Sequence, residues 1–572
     1  MGSNVCTFSF DELKSLLQQR GVLDQLTSLG YLPPSWRCSR EVYKNGRCIF
    51  HAEDKDPIDF NNALIQELNT MANQDRYDFT GFIFPKVDFS AKTFEKPAYF
   101  TGATFKDEVK FNKAVFNELA KFDGCEFQRI SYFDEATFRN VASFTASTFK
   151  EEVQFTNAKF HGEANFMGAS FQKSVFSGSE FKSSVTFHGS KFNEEAWLNQ
   201  IIFNTAYLGN IRFQKQVWFF NVEFSGQVTF DYSEFQGPAL FIGSIFYGVT
   251  LFQQVVFRGG ANFTRTIFNG VSFPYTYFQG TIAFVNCAFV GPAWFANVRP
   301  LKHNSVLMFI GDPDRARPDV KQFCSKIDEM VKSELEKNWG KDLNQLETVI
   351  QRGKISLRMV SFKGTDVRSI QFLNVEWDKK EVGPRCLRMK RNIIYDEKLL
   401  ENSEGPPDYE SVARIYWGLR HNYERSGRYA DAGDFYISEM EMRRLQTAPP
   451  TRKGSKPTVW KIIHRTISSW GWWRRNLLSP LAIYKYLSLY GESYALAGLW
   501  IIITIILFTF LRTLLPPQGG PSPDILDNPL TRSILALFQL RGEETIDNIE
   551  RIIGAILTGN LFIALRRRLE RR

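Results

Sequence analysis

Four residues near the start of the chain have the types and spacing of a metal clamp. Cys48 and His51 stand three apart, in Cys-Ile-Phe-His, and Cys38 and Cys6 lie upstream. A thiolate and an imidazole at that spacing grip one ion from a single turn. Two further thiolates would complete a four-coordinate structural zinc site. A plainer reading stays open, in which the cysteines are small buried hydrophobes and the histidine is hydrogen-bonded in the core. No second Cys-x-x-Cys pair accompanies them. A second polar group, Thr558 and Asn560 with Gly554 and Gly559, interrupts an apolar stretch near the C-terminus. There a hydroxyl and an amide could line an aqueous path, and the glycines would let helices approach closely. Elsewhere there is no Gly-x-x-x-x-Gly-Lys loop, no His-Glu-x-x-His and no Gly-x-Ser-x-Gly. His161, Glu163 and His188 fall at outward positions of the repeat described next. The chain therefore does not read as an enzyme, and zinc is the one cofactor it suggests.

What must position these groups is a phenylalanine ladder. From Phe89 it runs through Phe94, Phe100, Phe105, Phe111 and Phe116, in alternating steps of five and six, to Phe295. The period is eleven, which neither a 3.6-residue helix nor a two-residue strand repeat produces. A fixed short period is the mark of a solenoid. Two residues before most rings stands a small or β-branched residue, such as Ala103, Ala114, Ala136, Ala158 or Val228. Residues two apart on an extended segment point the same way, so each unit buries one ring and one small group. Lys, Glu, Asn, Thr, Ser and Gly take the outward corners. Leu198 and Leu208 stand in for Phe, and the step tightens to five around Phe171, Phe176 and Phe181 and again at Phe268, Phe273 and Phe278.

This Ala-x-Phe-x-x pattern, over residues 79–296, resembles the pentapeptide-repeat proteins. The resemblance implies a mainly β chain wound as a right-handed, four-sided β-helix. The departure is a sixth residue on alternate faces, which predicts about 22 residues per coil (two faces of five and two of six). The segment from Trp36 and Cys38 to Cys48 and His51 also resembles the N-terminal part of some prokaryotic members.

Composition agrees with a long, cytoplasmic, multidomain chain. Its 572 residues suffice for several domains, and 54 phenylalanines account for the 15% aromatic content. Seven scattered cysteines suit a reducing compartment rather than a disulfide scaffold. No apolar leader is expected between Met1 and Leu32. The net charge of +9 concentrates toward the C-terminus, while the ladder is close to neutral. Residues 240–296 carry only Arg258 and Arg265, which marks a contact surface or a face packed on the next segment.

The expected order is a helical Cys/His cap over 1–78, with one amphipathic helix at 9–29 (Leu13, Leu16, Leu17, Leu23) and a capping helix at 58–75. The solenoid follows at 79–300, then a helical insertion and final coil at 301–378, a linker at 379–407 and a helical hairpin at 408–446. The hairpin, with Tyr416, Leu419 and Tyr423 facing Tyr429, Ala432, Phe435 and Met440, resembles a single tetratricopeptide unit. One such unit is a packing element.

Residues 447–493 form a basic, Trp-rich belt. Seven Lys or Arg and no acid occur between Thr451 and Asn476, interleaved with Trp460, Trp470, Trp472 and Trp473. Trp470, Trp472, Trp473, Arg474 and Arg475 would sit at the membrane–water boundary. Tyr494 to Leu511 gives eighteen uncharged residues, long enough to span. Pro516, Pro517, Pro521 and Pro523 break the chain. Leu530–Leu540 is too short to span, and Ile549–Leu565 is a second span closed by Arg566, Arg567 and Arg568. Positive charge on both flanks predicts a multi-pass cell-membrane protein with both termini cytoplasmic. The loop between the spans, with Asp524, Asp527, Glu543, Glu544 and Asp547 against Arg532 and Arg541, would lie outside.

Span, short helix, span also resembles the tail of membrane-bound pentapeptide-repeat proteins with a potassium-channel-like C-terminus, a likeness carried by Tyr490-Gly-Glu-Ser493 and the Arg-rich end. No Thr-Val-Gly-Tyr-Gly filter is present, so potassium selectivity is not implied. The chain is thus expected to be a protein-interaction or sensing solenoid coupled to an oligomeric pore. The partners would be the bilayer, other copies (a tetramer by analogy) and a cytoplasmic protein. The alternative is a non-conducting tethered scaffold. Mimicry of DNA toward topoisomerase, known in the family, would need an acidic rod, and nucleic acid is not expected as a partner.

Overall fold

A computed structural model describes residues 5–30, 37–302, 305–311, 355–382, 390–402, 407–446, 479–514, 528–539 and 545–569. The chain divides into two units, Met1–Thr365 with Ser369–Glu376, and Asp366–Arg368 with Trp377–Arg572.

In the first unit most faces of a coil contribute a strand of only two residues, because a five- or six-residue face leaves little room before the corner; Thr281–Val285 and Val306–Ile310 near its end are longer. All the solenoid strands pair in parallel with the coil above and below. Up to the last coils partners lie 21 or 22 positions apart, as in Tyr77↔Ala98 and Glu126↔Thr148. The rings form four columns. One runs Phe79, Phe100, Phe122, Phe144, Phe166 and Phe187, with successive centroids 4.5, 4.5, 4.8, 5.0 and 4.7 Å apart. It continues through Leu208 to Phe230. Its neighbours in the facing column meet it edge-on, as Phe122 meets Phe133 at 88°. Stacking along the axis and T-shaped contact across it fill the interior with the two arrangements aromatic rings prefer.

The ladder does not stop at Phe295. Ala293 pairs with Val360, and Phe309 with Phe372, so the chain returns to the solenoid after residues 312–354, as expected of a final coil. The helical nature expected of 312–352 lies outside the described residues. Where the step tightens near Phe181, strands Glu180–Thr186 and Ile202–Tyr207 run round a corner and join two faces, with a register shift between Phe181 and Ser184. The charge-poor face at 240–296 is divided. Tyr247, Val249, Tyr275 and Val290 are exposed, whereas Leu240 and Ile242 are buried in a lateral cluster with Trp218 and Phe220.

The N-terminal segment departs from expectation. In place of one helix at 9–29 there are two, α1 (Phe10–Gln19) and α2 (Leu23–Ser28), broken where Gly21 takes φ +71°. They are a strap along one corner of the solenoid rather than an end cap. That corner needs a left-handed residue in every coil: Gly81, Gly102, Gly124, Ala146, Gly168 and Gly189 all have positive φ. Phe8 lies over Gly81, Leu13 over Gly102, Leu17 and Leu26 over Gly124, and Gln25 over Gly168. Arg20 fixes the strap at its midpoint, donating to the carbonyls of Gly102 (3.1 Å) and Gly124 (2.7 Å) and to the Thr104 hydroxyl (2.6 Å). The true end cap is α3 (Pro57–Ala72), N-capped by Asp56, with Phe60 edge-on to Phe84 of the first coil.

In the second unit the expected linker is partly structured. Asp378–Glu381 pairs antiparallel with Lys390–Ile393, and α4 (Tyr395–Asn402) follows. These pack with the expected hairpin, α5 (Tyr409–Arg425) and α6 (Tyr429–Gln446). Tyr416, Leu419, Tyr423, Ala432 and Phe435 are buried as read, but Tyr429 is exposed. A buried ionic knot replaces part of the hydrophobic seam: Arg391 pairs with Glu397 at 2.6 Å, and the Tyr416 hydroxyl donates to the same carboxylate. The chain ends in α7 (Pro480–Ser488), α8 (Tyr494–Leu514), α9 (Pro529–Leu537) and α10 (Thr545–Leu569).

Candidate functional site

The fold gathers Cys6, Cys38, Cys48 and His51, all buried, with their ligand atoms within 4.8 Å of one another. Three short pieces of chain present them. Cys6 and Cys38 sit on extended segments bridged at Val5↔Glu41 and Ser9↔Arg37. The Cys6 amide donates to the Arg40 carbonyl (2.8 Å) and the Cys38 amide to that of Phe8 (3.0 Å). A tight turn at Asn45 and Gly46, both at positive φ, then delivers Cys48. His51 follows on a single turn whose amide donates to the Cys48 carbonyl at 3.0 Å.

The Cys38 and Cys48 sulfurs are 3.8 Å apart, and His51 Nδ1 is 3.1 Å from Cys48 Sγ and 3.7 Å from Cys6 Sγ. His51 Nε2 meets the Thr80 carbonyl at 3.1 Å, and its ring stacks on Phe8 at 4.1 Å. Arg40 reaches Cys38 Sγ at 3.7 Å and is itself paired with Glu67 at 2.9 Å. The hydrogen bond with Cys48, aided by His51, draws the Cys38 thiol down to about 3 against the effect of burial. The same bond and burial push the Cys48 thiol up. Burial disfavours the His51 cation, yet hydrogen bonds to Cys38 and Cys6 outweigh it and raise the pKa. Arg40 and Thr80 were not legible as part of this site, because neither type nor spacing links them to it.

The other expected residues lie on the apolar tail. Two helical segments, Tyr494–Leu514 and Ile546–Arg567, are long and apolar enough to cross a membrane. The short α9 packs against both α8 and α10, and a β-carbon on Gly554 would fall 2.2 Å from the Leu537 carbonyl oxygen. Gly554 therefore sets the approach of α10 to α9 within one chain. Gly559 faces open space. The Thr558 hydroxyl turns back to the Gly554 carbonyl (2.7 Å). The Asn560 amide donates to the Ile556 carbonyl (2.8 Å) and accepts from Ser488 (3.0 Å).

Among the basic residues, Arg566 is exposed. Arg567 is half-buried, bonded to the Tyr490 carbonyl (3.0 Å) and the Glu492 carboxylate (2.9 Å). The Arg568 side chain and Trp470, Trp472, Trp473, Arg474 and Arg475 lie outside the described residues.

One cluster escaped the sequence reading. Arg512 at the end of α8 pairs with Asp547 (2.6 Å) and Glu550 (2.7 Å) at the start of α10, and donates to Ser533 of α9; all four are buried. Asp547 is thus a structural anion and not part of a free acidic loop. Below the spans, Glu441 accepts from Arg444 (2.7 Å), Lys485 (2.9 Å) and the Tyr490 hydroxyl (2.9 Å). Burial alone would raise that carboxyl, but these donors hold it down to about 2.

Comparison with known proteins agrees with the solenoid. Residues 122–169 and 230–276 match the family model for pentapeptide repeats, in nine copies. An uncharacterized protein of Methanocaldococcus jannaschii is 28% identical over 238 residues, covering 38% of this chain and 46% of that relative. The chain therefore spans less than half the length of the curated relative it matches. No solved structure matches it.

Proposed function

We propose that this chain, a pentapeptide-repeat solenoid joined to a tail of two apolar helices, is a membrane-anchored, non-enzymatic interaction protein whose tail assembles into an ion-conducting pore. The carrying observation is the tail's construction. A short helix is wedged between two membrane-length helices and tied to both by the buried Arg512, Ser533, Asp547 and Glu550. A plain anchor needs neither the third helix nor a buried ionic knot, which is costly to keep out of water. Two spans enclose no pore alone, so copies must associate. Apolar side chains that a single chain leaves uncovered, Ile502, Ile506 and Phe510 on α8 and Ile552, Ile556 and Phe562 on α10, supply surface for lipid and for other copies. The basic flanks support a placement of both termini in the cytoplasm. There the rod's exposed Tyr247, Val249 and Tyr275 would meet a protein partner.

A second reading has its own support. Thr558 and Asn560 find hydrogen-bond partners within one chain, which suits inert helices beneath a scaffold. Purified full-length protein in planar bilayers separates the two. Unitary currents, with an oligomer seen in the same preparation, support the pore. Silent bilayers that contain inserted oligomer leave the tethered scaffold.

A further inference from the structure

We propose that Cys6, Cys38, Cys48 and His51 bind a single zinc ion, and that this ion locks the N-terminal strap onto the first coil. The donor set is three sulfurs and one imidazole, a common structural zinc set. Metal–sulfur bonds of about 2.3 Å in a tetrahedron place the ligand atoms about 3.8 Å apart. The Cys38–Cys48 and Cys6–His51 separations, 3.8 and 3.7 Å, are of that size, while the Cys48–His51 contact, 3.1 Å, must open by about half an ångström to admit the ion. A Cys38–Cys48 disulfide would require the sulfurs to close to about 2.05 Å.

The outer shell is in place as well. The contact of His51 Nε2 with the Thr80 carbonyl makes that nitrogen the protonated one and leaves Nδ1 as the ligand atom. Three thiolates on a divalent ion leave one negative charge. The Arg40 guanidinium beside Cys38 Sγ lies where it offsets that charge. All four ligands are buried and come from the protein, so no position stays open for a substrate and the ion is structural.

The topology says what such an ion does. Cys6 precedes the strap, Cys38 follows it, and His51 touches Thr80 at the first coil. The ion would close a loop that contains both strap helices and pin its base to the solenoid. Without it, the strap holds by the contacts of Phe8, Leu13, Leu17, Leu26 and Gln25 and by Arg20. Free energy of metal binding would then appear as stability of the N-terminal end.

The test is elemental analysis of full-length protein purified without chelator or reductant. One equivalent of zinc per chain is expected, with His51→Ala and Cys48→Ser losing it and Cys125→Ser and Cys287→Ser, buried elsewhere, keeping it. Because the first two variants can loosen the N-terminus by packing alone, the wild-type chain is also stripped with chelator and reloaded with cobalt(II). Visible bands of a tetrahedral thiolate site support the proposal, as does strap cleavage at Arg20 that rises on stripping and falls on reloading. Wild-type protein with no metal above background, a Cys38–Cys48 disulfide by mass spectrometry, or iron in place of zinc overturns it.

Discussion

Leu13 occupies the space a side chain at position 102 would need: a β-carbon on Gly102 would lie 2.5 Å from Leu13 Cδ1. The strap and the glycine corner are therefore one device. Glycine stands in that corner at 81, 102, 124 and 168, where strap side chains lie over it, and at 189, where nothing does, whereas Ala146, Asn210, Tyr232, Gln254 and Tyr275 hold the same left-handed turn with a side chain. Strain alone does not demand glycine in this corner; at 81, 102, 124 and 168 contact with the strap does.

Gly102→Ala should consequently displace the strap. Gly189→Ala, at φ +71° with nothing within 4 Å, carries the backbone strain without the collision. We expect Gly189→Ala to cost about 1 kcal/mol, the strain of a side chain in the left-handed region. Gly102→Ala should cost more, toward the roughly 2–4 kcal/mol expected of Leu13→Ala. The measurement is the rate of tryptic cleavage after Arg20, which should rise for Gly102→Ala and Leu13→Ala and stay at the wild-type rate for Gly189→Ala.

Asp123 supplies a pH dependence. It is fully buried in the solenoid; its Oδ1 accepts from the Ser143 hydroxyl and, at 3.2 Å, from the Thr145 amide, while Oδ2 has no partner among the described residues. Burial pushes its carboxyl up to about 6. The folded state therefore binds a proton that the unfolded state has released, and this contribution to stability is full below about pH 4 and lost as pH rises through about 6. Asp123→Asn should abolish that slope and stabilise the rod at pH 8 by up to about 3 kcal/mol. Melting curves of the two proteins at pH 4.5 and 8 check it; equal shifts at both pH values would refute it.

Arg512 is the keystone of the tail. Removing it leaves Asp547 and Glu550 buried with their principal counter-ion gone, a loss of about 3–5 kcal/mol. Arg512→Ala should lower the melting temperature of the helical circular-dichroism signal in detergent. Arg512→Met combined with Asp547→Asn and Glu550→Gln should recover much of it, since an uncharged cluster has no unbalanced ion. If Arg512→Ala melts like the wild type, the knot contributes nothing to the tail.

The rod was legible because its information is local and repeated. Each ring and its small neighbour sit within five residues, and even Leu198 and Leu208 announce their columns by spacing. The strap was not, since Leu17 and Gly124 match only once the register of the coils is known. Lys390–Ile393 hid its strand because two of its three buried residues, Arg391 and Asn392, are polar, and the Glu397 and Asp431 that accept from them are brought close only by the fold. Cys48 and His51 could be paired by spacing, but only the fold brings Cys6 and Cys38 to them. Asp547 reads as a loop charge because nothing in the sequence tells that α10 begins at Thr545 and faces Arg512.

The two glycines of α10 separate packing within a chain from packing between chains. At Gly554 any β-carbon collides with the Leu537 backbone, so Gly554→Val should push α9 away and destabilise the single tail. At Gly559 nothing lies within 4 Å in one chain. Gly559→Val should leave the melting of the monomeric tail unchanged. If copies pack through this face, the same substitution must weaken their association, since a small residue there sets how closely helices meet. Crosslinking of the detergent-solubilised protein reads the outcome. We expect Gly559→Val to shift the population from oligomer to monomer by about tenfold, which corresponds to about 1.4 kcal/mol. An unchanged oligomer would place the contact between copies on another face of α10 or on α8, and would remove Gly559 from the pore wall.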